Sequence, residues 1–262
     1  MGICDSNKIE GMGEKHDSII HANSQNKKEE LFMGNIPVPM ETANKLSKSI
    51  CKITYINMSQ KKINGTGFFM MYNSLKCLIS VNHVITSNLI DKNIEIEIHN
   101  KKKFNLQLSS RFIKFFERPI DISVIEIKDS DGINEDIEYL NHDLNYNVKG
   151  YSIYKEMEVI SLGYPFGKEL IAGAGIIKNI NGYEFEHNIS TEQGSSGAPI
   201  ILLNLKMVIG IHKYGDIIKK INVGTFIGKI FDVVNNNLNR DNNNENKNNI
   251  KMKKILLMKN IY

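Results

Sequence analysis

Gly194-Ser195-Ser196-Gly197-Ala198-Pro199 places a serine inside a turn that is bounded by glycines. A serine hydroxyl is a weak nucleophile by itself. Acyl transfer therefore needs a neighbouring base to take its proton and backbone N–H groups to hold the oxyanion. The stretch predicts Ser196 as a nucleophile and directs attention to the chain upstream of it.

Two upstream segments supply the partners that such a serine needs. His83 follows the apolar run Cys77-Leu78-Ile79-Ser80-Val81, and Asp121 stands at the head of the alternating run 120–127. A histidine at the end of a strand can serve as the base, and an aspartate that accepts from its Nδ1–H fixes the tautomer. Each residue alone has an ordinary structural explanation, but the order His83, Asp121, Ser196 in these settings favours a catalytic triad.

The body of the chain consists of short β-branched and aromatic runs that turn residues separate. This spacing is typical of a closed or packed antiparallel β architecture. Residues 229–238 have apolar side chains near helical spacing, which predicts a C-terminal helix. The predicted strands are Ile50–Met58, Gly65–Tyr72, Cys77–Val81, Ile94–His99, Phe104–Leu108, Ile120–Ile127, Glu158–Leu162, Ala198–Leu203 and Met207–His212.

Charge and cysteine content narrow the function classes. The net charge of +4 arises in residues 238–262, which hold six basic and two acidic residues, so the remainder is neutral. A neutral body argues against nucleic-acid binding. Three cysteines without paired spacing argue against a disulfide framework and favour a reducing, cytoplasmic setting. The histidines show no metal-ligand spacing, and no glycine-rich loop precedes a helix, so neither a metal nor a cofactor is expected.

The composition predicts three regions: an N-terminal extension over 1–44, a folded domain over 45–236, and an Asn/Lys-rich tail over 237–262. Gly2, followed by Ser6, fits the N-myristoylation pattern, and Cys4 is available for palmitoylation. Dual acylation would attach the protein peripherally to a membrane; the other interpretation is a chance match. The tail is either a frayed end or a segment that touches an anionic membrane.

Four segments resemble the chymotrypsin-like (trypsin-fold) serine peptidases: Gly65-Thr66-Gly67-Phe68-Phe69, Ser80-Val81-Asn82-His83-Val84, Asp121-Ile122-Ser123-Val124 and Gly194 to Pro199. The resemblance covers residues 45–236, with closest likeness to the disulfide-free intracellular branch, including glutamyl endopeptidases and high-temperature-requirement peptidases. It implies an all-β fold of two packed antiparallel six-stranded β-barrels with a C-terminal helix. It also implies His83, Asp121 and Ser196 as the triad and the N–H groups of Gly194 and Ser196 as the oxyanion hole.

Departures from the family pattern are informative. Ser195 stands where digestive members carry an aspartate that pairs with a newly cut N-terminus, so activation by that salt bridge is not expected. Ala198 replaces the second glycine, as in bacterial glutamyl endopeptidases. The usual cysteine pairs are missing, which agrees with a reducing compartment.

The segment from Ile209 to Gly215 resembles the family strand that lines the S1 pocket, with Tyr214 and Gly215 flanking the substrate. His212 and Thr191 match the positions that bind a Glu or Gln side chain in glutamyl endopeptidases and picornavirus-type proteases. An imidazole N–H and a hydroxyl can bond a carboxylate or amide oxygen, whereas an apolar residue would leave them unpaired. Ser190, at the pocket base, is uncharged and disfavours Arg or Lys. The alternative is that His212 is a buried structural histidine.

Two function classes follow. The first is a serine endopeptidase that hydrolyses protein or peptide substrates through an acyl-enzyme, with Glu or Gln preferred at P1, the residue on the acyl side of the cleaved bond. The second is a catalytically silent member of the same fold that binds or scaffolds peptides. In a third interpretation the protein is a membrane-tethered regulator, for which the acylated N-terminus matters more than the barrels.

Overall fold

The computed structural model describes residues 36–216, 218–219 and 221–231. The predicted acylation residues Gly2 and Cys4, the tail over 237–262 and the predicted helix beyond residue 231 lie outside these ranges. Their assignments stay predictions. Within the described ranges, no helix combines the length and the apolar character needed to cross a membrane.

The first β unit is a curled sheet of seven antiparallel strands in the order β5-β4-β1-β2-β3-β7-β6. Long-range pairing of β3 with β7 brings the segments after β3 and before β7 together at one end of the sheet. The strands are β1 (Ile50–Ile56), β2 (Lys62–Tyr72), β3 (Leu75–Ser80), β4 (Asn93–Ile98), β5 (Lys103–Gln107), β6 (Ile113–Phe116) and β7 (Ile122–Glu126).

The second β unit is a closed barrel of six strands in the order β10-β13-β12-β11-β8-β9. In β12 the pairing with β13 shifts between His212 and Tyr214, so Lys213 is the extra residue of a β-bulge. The strands are β8 (Glu158–Gly163), β9 (Ile171–Asn181), β10 (Glu184–His187), β11 (Pro199–Leu202), β12 (Val208–Asp216) and β13 (Ile221–Phe226).

Helices are short and lie at the edges of the two units. Helix α1 (Met40–Ser47) precedes β1 and crosses the boundary predicted at residue 44, and α2 (Tyr146–Lys149) lies in the connection between the units. Residues 228–231 form the helical turn that begins the predicted C-terminal helix. The 3₁₀ helices are Ser87–Leu89, Asp129–Asp131, Tyr151–Tyr154 and Pro165–Gly167.

The apolar core continues from one unit into the other. Phe68, Ile79 and Val124 of the first sheet belong to one buried cluster that also includes Leu162 and Ile211 of the barrel. A second cluster, around Phe185 and Phe226, fills the barrel interior. Because apolar burial is the main favourable term in folding, this shared core holds the two units together.

The predicted all-β fold of two units is confirmed, with two differences. The first unit has seven strands in a curled sheet, where six in a barrel were predicted. Four strands were also not predicted: β6, β9, β10 and β13. β6 and β10 have only four residues each, and glycines interrupt β9 and β13, so their β-pattern is weak in sequence.

Candidate active site

Residues 194–197 form a turn between β10 and β11, here called the nucleophile turn. Gly194 and Gly197 have φ angles of 101° and 94°, a region that side chains rarely adopt. A Cβ on Gly194 would lie 2.5 Å from the Tyr164 carbonyl oxygen, and one on Gly197 would clash with the Thr66 carbonyl oxygen. Glycine is therefore required on both sides of Ser196 by conformation and by space.

Thr66 of β2, fully buried, holds this turn from the first unit. Its backbone N–H donates to the Ser196 carbonyl at 2.9 Å, and its hydroxyl donates to the Gly194 carbonyl at 2.8 Å. The same hydroxyl oxygen accepts from the Tyr164 N–H at 3.0 Å. The Thr66 carbonyl in turn accepts from the Ser80 hydroxyl at 2.8 Å. Thr66 thus fixes the peptide plane of Gly194 through contacts with both β units.

The backbone N–H groups of Gly194 and Ser196 donate to no group within the described chain, whereas Ser195 N, Gly197 N and Ala198 N all have carbonyl partners. Uncommitted N–H groups beside a serine hydroxyl are what an oxyanion hole requires. Ser195 is held locally, because its hydroxyl oxygen accepts from the Glu192 N–H at 3.2 Å. The turn is therefore ordered by its own hydrogen bonds and by Thr66.

His83 follows β3, and Asp121 immediately precedes β7, so the pairing of these strands places them side by side. The His83 Nδ1 lies 2.8 Å from Asp121 Oδ2, and the His83 backbone N–H donates to Oδ1 at 2.9 Å. The Asn82 N–H donates to the Asp121 carbonyl at 3.1 Å. With Nδ1 engaged by a carboxylate, Nε2 is the ring nitrogen left to act as a base.

Asp121 is 1% exposed and has a φ of 61°, in the left-handed region that aspartate tolerates better than most residues. Burial acts to raise the pKa of its carboxyl. The hydrogen bonds from the His83 ring and backbone N–H, with the charges of His83 and Arg118, outweigh burial, so the pKa lies below its ordinary value. Asp121 is therefore an ionised group at neutral pH, as an orienting carboxylate must be.

The Ser196 hydroxyl donates to the Lys213 carbonyl at 3.0 Å. No hydrogen bond joins it to His83 within the described chain. The bulge at Lys213 turns that carbonyl towards the nucleophile turn. The structure thus brings His83 and Asp121 into direct contact and holds the Ser196 hydroxyl on β12 instead.

The side chain of Lys213 crosses between the two units. It is 3% exposed, and its Nζ donates to the Pro119 carbonyl at 2.7 Å and to Glu184 Oε1 at 2.5 Å. The next carbonyl, that of Ile120, accepts from the Thr225 hydroxyl at 3.1 Å. The segment that carries Asp121 is therefore attached to the barrel at two consecutive carbonyls.

His212 is almost fully buried, and its Nδ1 lies 3.2 Å from Nε2 of His187 on β10. Burial, and then the charge of His83, lower the pKa of His212 to about 3. Burial and the proximity of His212 also place the pKa of His187 well below its ordinary value. Both rings are neutral at physiological pH. The contribution of the His83 charge to the pKa of His212 indicates that the two side chains are close.

The other predicted pocket residues lie on two neighbouring segments. The Thr191 hydroxyl donates to Asn222 Oδ1 at 2.9 Å, and Asn222 Nδ2 donates to the Ile189 carbonyl at 2.6 Å. Tyr214 is 46% exposed, and Gly215 pairs with Asn222 across β12 and β13. Ser190 and Thr191 also line a cavity of about 190 Å³ on the β8–β9 side of the nucleophile turn, together with Glu192, Ser195 and Ala198.

Five residues at this site had no role assigned from the sequence: Thr66, Glu184, His187, Lys213 and Asn222. Thr66 lies in a segment whose likeness to the family was recognised, so its motif was the available signal. His187, Glu184 and Asn222 lie on β10 and β13, which were not predicted as strands. No group of three or more His, Cys, Asp or Glu residues in the described chain could hold a metal ion.

No protein-family model matches the chain, and no curated protein matches it. Solved structures do. The serine endoprotease from Yersinia pestis is 14% identical with a TM-score of 0.57, and the match covers 77% of this chain and 67% of that one. The Rv3671c protease from M. tuberculosis, in its active form, is 18% identical with a TM-score of 0.56, and the match covers 77% of this chain and 90% of that one. Its inactive form has a TM-score of 0.53 at 18% identity, covering 74% and 95%.

At these identities the likeness establishes the fold. The closed barrel and the curled sheet form the chymotrypsin-like double-barrel fold of serine proteases. The particular branch within that fold stays a prediction.

Proposed function

We propose that this protein is a serine endopeptidase in which Ser196, His83 and Asp121 form the catalytic triad. The observations that support this most directly are the 2.8 Å contact between His83 Nδ1 and Asp121 Oδ2 and a serine turn with two uncommitted N–H groups. An oriented imidazole and preformed oxyanion donors are the two requirements of acyl transfer by serine.

The reaction begins when the Ser196 hydroxyl turns from the Lys213 carbonyl to His83 Nε2. The oxygen attacks the substrate carbonyl while its proton passes to Nε2, and Asp121 stabilises the imidazolium that results. The Gly194 and Ser196 N–H groups hold the oxyanion. His83 then gives the proton to the leaving amine, and a water molecule, deprotonated by the same nitrogen, hydrolyses the ester.

Substrate backbone binds along β12 between Lys213 and Gly215. The pocket residues Ser190, Thr191 and His212 accept Glu or Gln at P1, with Tyr214 and Gly215 beside the substrate chain. An apolar side chain offers no polar atom to the buried His212 imidazole, which disfavours it at P1.

A fluorophosphonate probe tests this proposal. We expect the folded protein to be labelled at Ser196, as read by mass spectrometry of the modified peptide. Labelling should be lost in Ser196→Ala and strongly reduced in His83→Ala. Folded wild-type protein that is not labelled contradicts the proposal.

A second candidate is a catalytically silent peptide-binding member of the fold. The hydrogen bond from Ser196 to the Lys213 carbonyl supports it, because a serine held there is not in contact with its base. Peptides that bind wild type and Ser196→Ala equally, without cleavage or probe labelling, would favour this function over the first.

A further inference from the structure

The 3₁₀ segment Pro165–Gly167, here called the 165–167 turn, follows β8 and lies against the nucleophile turn. The Phe166 N–H donates to the Gln193 carbonyl at 2.5 Å. A Cβ on Gly194 would lie 3.1 Å from the Phe166 nitrogen and 3.2 Å from the Gly167 nitrogen, so the two turns meet main chain to main chain. The hydrogen bond therefore joins the 165–167 turn to the peptide unit that carries the Gly194 N–H.

The orientation of this Gln193–Gly194 peptide unit depends on Phe166. The three peptide units that follow it are each held at the carbonyl by another donor. These pairs are the Gly194 carbonyl with the Thr66 hydroxyl, the Ser195 carbonyl with the Ala198 N–H, and the Ser196 carbonyl with the Thr66 N–H. Among the described residues, the Gln193 carbonyl accepts only from the Phe166 N–H.

The planarity of the peptide unit turns this contact into an orientation of the Gly194 N–H. In a trans peptide the C=O and N–H bonds point in opposite directions. A Gln193 carbonyl held on Phe166 therefore aims the Gly194 N–H away from the 165–167 turn, and within the described chain that N–H donates to no group. Rotation of the unit by half a turn would replace the donor by an acceptor and remove one of the two proposed oxyanion donors.

Phe166 makes this contact in an unfavourable backbone conformation. Its φ of 54° and ψ of 16° lie in the left-handed region, where a Cβ is crowded. Gly167 follows with a φ of 65°, and the Lys168 N–H donates to the Pro165 carbonyl at 3.1 Å, which is a turn that asparagine and glycine favour. The Phe166 ring is 54% exposed, so its burial offsets little of this strain. Strained main chain of this kind is concentrated at functional sites.

We infer that Phe166 is a positioning residue: its main-chain N–H, aimed by the left-handed conformation, holds the Gln193–Gly194 peptide unit so that the Gly194 N–H serves as an oxyanion donor. This inference rests on the proposed function and adds a residue that acts through Gly194. Because the role belongs to the main chain, it depends on the φ that residue 166 accepts and does not depend on the ring.

Replacing the Phe166 amide N–H by an ester oxygen in the full-length protein removes the donor and keeps the ring. We expect kcat to fall about 10-fold to 100-fold with KM within about threefold of wild type, because the affected group stabilises the transition state. The same ester at Phe69, whose N–H donates to the Ser49 carbonyl at 2.8 Å in the first unit, is the matched control. It should leave kcat per folded molecule near wild type. Equal kcat in the two ester proteins contradicts the inference.

Ordinary substitutions separate the main chain from the ring. Phe166→Gly and Phe166→Asn accept a left-handed φ and should keep kcat within about threefold of wild type, although both remove the ring. Phe166→Val resists that φ through its β-branch and should lower kcat about tenfold. A ring that acts through its contacts would give the reverse order, with Val nearest to wild type, and that order would overturn the inference. If the Phe166 ester protein does not fold, this series decides.

NMR of the full-length protein tests the contact without any activity. A scalar coupling across the hydrogen bond, between the Phe166 nitrogen and the Gln193 carbonyl carbon, should be present in wild type and in Phe166→Gly. It should be lost in Phe166→Val. A wild-type protein without this coupling contradicts the inference.

The two proposals fail in distinguishable ways. Wild-type labelling and hydrolysis that continue unchanged in the Phe166 ester protein remove this inference and leave the peptidase. Coupling across the Phe166 hydrogen bond without any probe labelling of wild type removes the peptidase, and with it the catalytic role of Phe166.

Discussion

Every polar group of Thr66 is hydrogen-bonded, and two of these groups, the hydroxyl and the N–H, donate to the nucleophile turn. Its hydroxyl both donates to Gly194 and accepts from Tyr164, while its N–H and carbonyl bind Ser196 and Ser80. A peptide plane that is fixed on its carbonyl side is fixed on its N–H side as well, because the peptide unit is planar. The Gly194 and Ser196 carbonyls share their planes with the N–H groups of Ser195 and Gly197, so Thr66 holds the two peptide units that flank the one bearing the Ser196 N–H, a proposed oxyanion donor.

Thr66→Val keeps the shape of the side chain and removes both hydroxyl contacts. We expect it to lower kcat by about 10-fold to 100-fold, somewhat less than outright loss of an oxyanion donor, with a smaller effect on KM. Stability should fall by about 2 kcal/mol, because Tyr164 N–H and the Gly194 carbonyl lose a buried partner. Peptide hydrolysis and urea unfolding measure these effects. Thr66→Ser, which keeps the hydroxyl, should be close to wild type; equal loss in both variants would show that packing alone matters.

At the scale of elements, β12 joins the parts of the site. Its bulge turns the Lys213 carbonyl to Ser196, and the Lys213 side chain reaches the segment before Asp121. His212, one residue earlier, faces the barrel interior and His187. One strand thus contacts the proposed nucleophile Ser196, the segment that carries Asp121 and the buried ring of His187, and movement of β12 would affect all three.

Lys213→Met keeps the apolar stem and removes the cation. We expect the unfolding free energy to fall by about 1 to 3 kcal/mol, moderated because Glu184 is one-third exposed and can hydrate. Loosening of the Asp121 segment should also lower kcat per folded molecule about tenfold, since base orientation contributes to proton transfer. Urea unfolding and peptide hydrolysis measure the two effects.

Lys52→Met is the matched control, because Lys52 is also largely buried and lies 2.9 Å from the buried carboxylate of Glu97 in the first unit. It should destabilise the protein to a similar extent and leave kcat per folded molecule near wild type. Equal kcat in the two variants would mean that Lys213 has no link to catalysis beyond stability.

At the scale of the whole molecule, the barrel contains two buried histidines, His187 and His212, that are neutral in the folded state. Their pKa values are depressed chiefly by burial, whereas in the unfolded chain they return to about 6.5. Below pH 6.5 the unfolded state binds more protons than the folded state does. The free energy of unfolding is therefore highest above about pH 6.5 and decreases as the pH falls towards 3, the pKa of His212 in the folded state. Asp121, with its lowered pKa, adds a separate loss only below about pH 4.

Acidification from pH 7 to pH 5 should therefore destabilise the protein through these two histidines. Each contributes at most about 1.4 kcal/mol per pH unit below 6.5. His187→Gln should reduce this dependence by one such share, as measured by urea unfolding at both pH values. If His99→Gln reduces it equally, burial of the barrel pair is not the cause.

The sequence alone determined the all-β character of the chain, nine of its strands and the candidates His83, Asp121 and Ser196. It could do so because alternation, turn residues and the glycines around Ser196 are local signals. A backbone with positive φ favours glycine at that position itself, independently of distant parts of the chain. Because the β-patterns of β10 and β13 are weak, the sequence assigned no structural role to His187 or Asn222.

Only the tertiary structure decided which groups meet. Thr66 and Gly194 are 128 residues apart, Lys213 and Pro119 are 94 apart, and His187 and His212 are 25 apart. It also decided that the Ser196 hydroxyl donates to the Lys213 carbonyl and the Thr191 hydroxyl to Asn222 Oδ1. Such partners depend on barrel closure and strand register, which are set by the packing of the whole core and leave no mark in any short stretch of sequence.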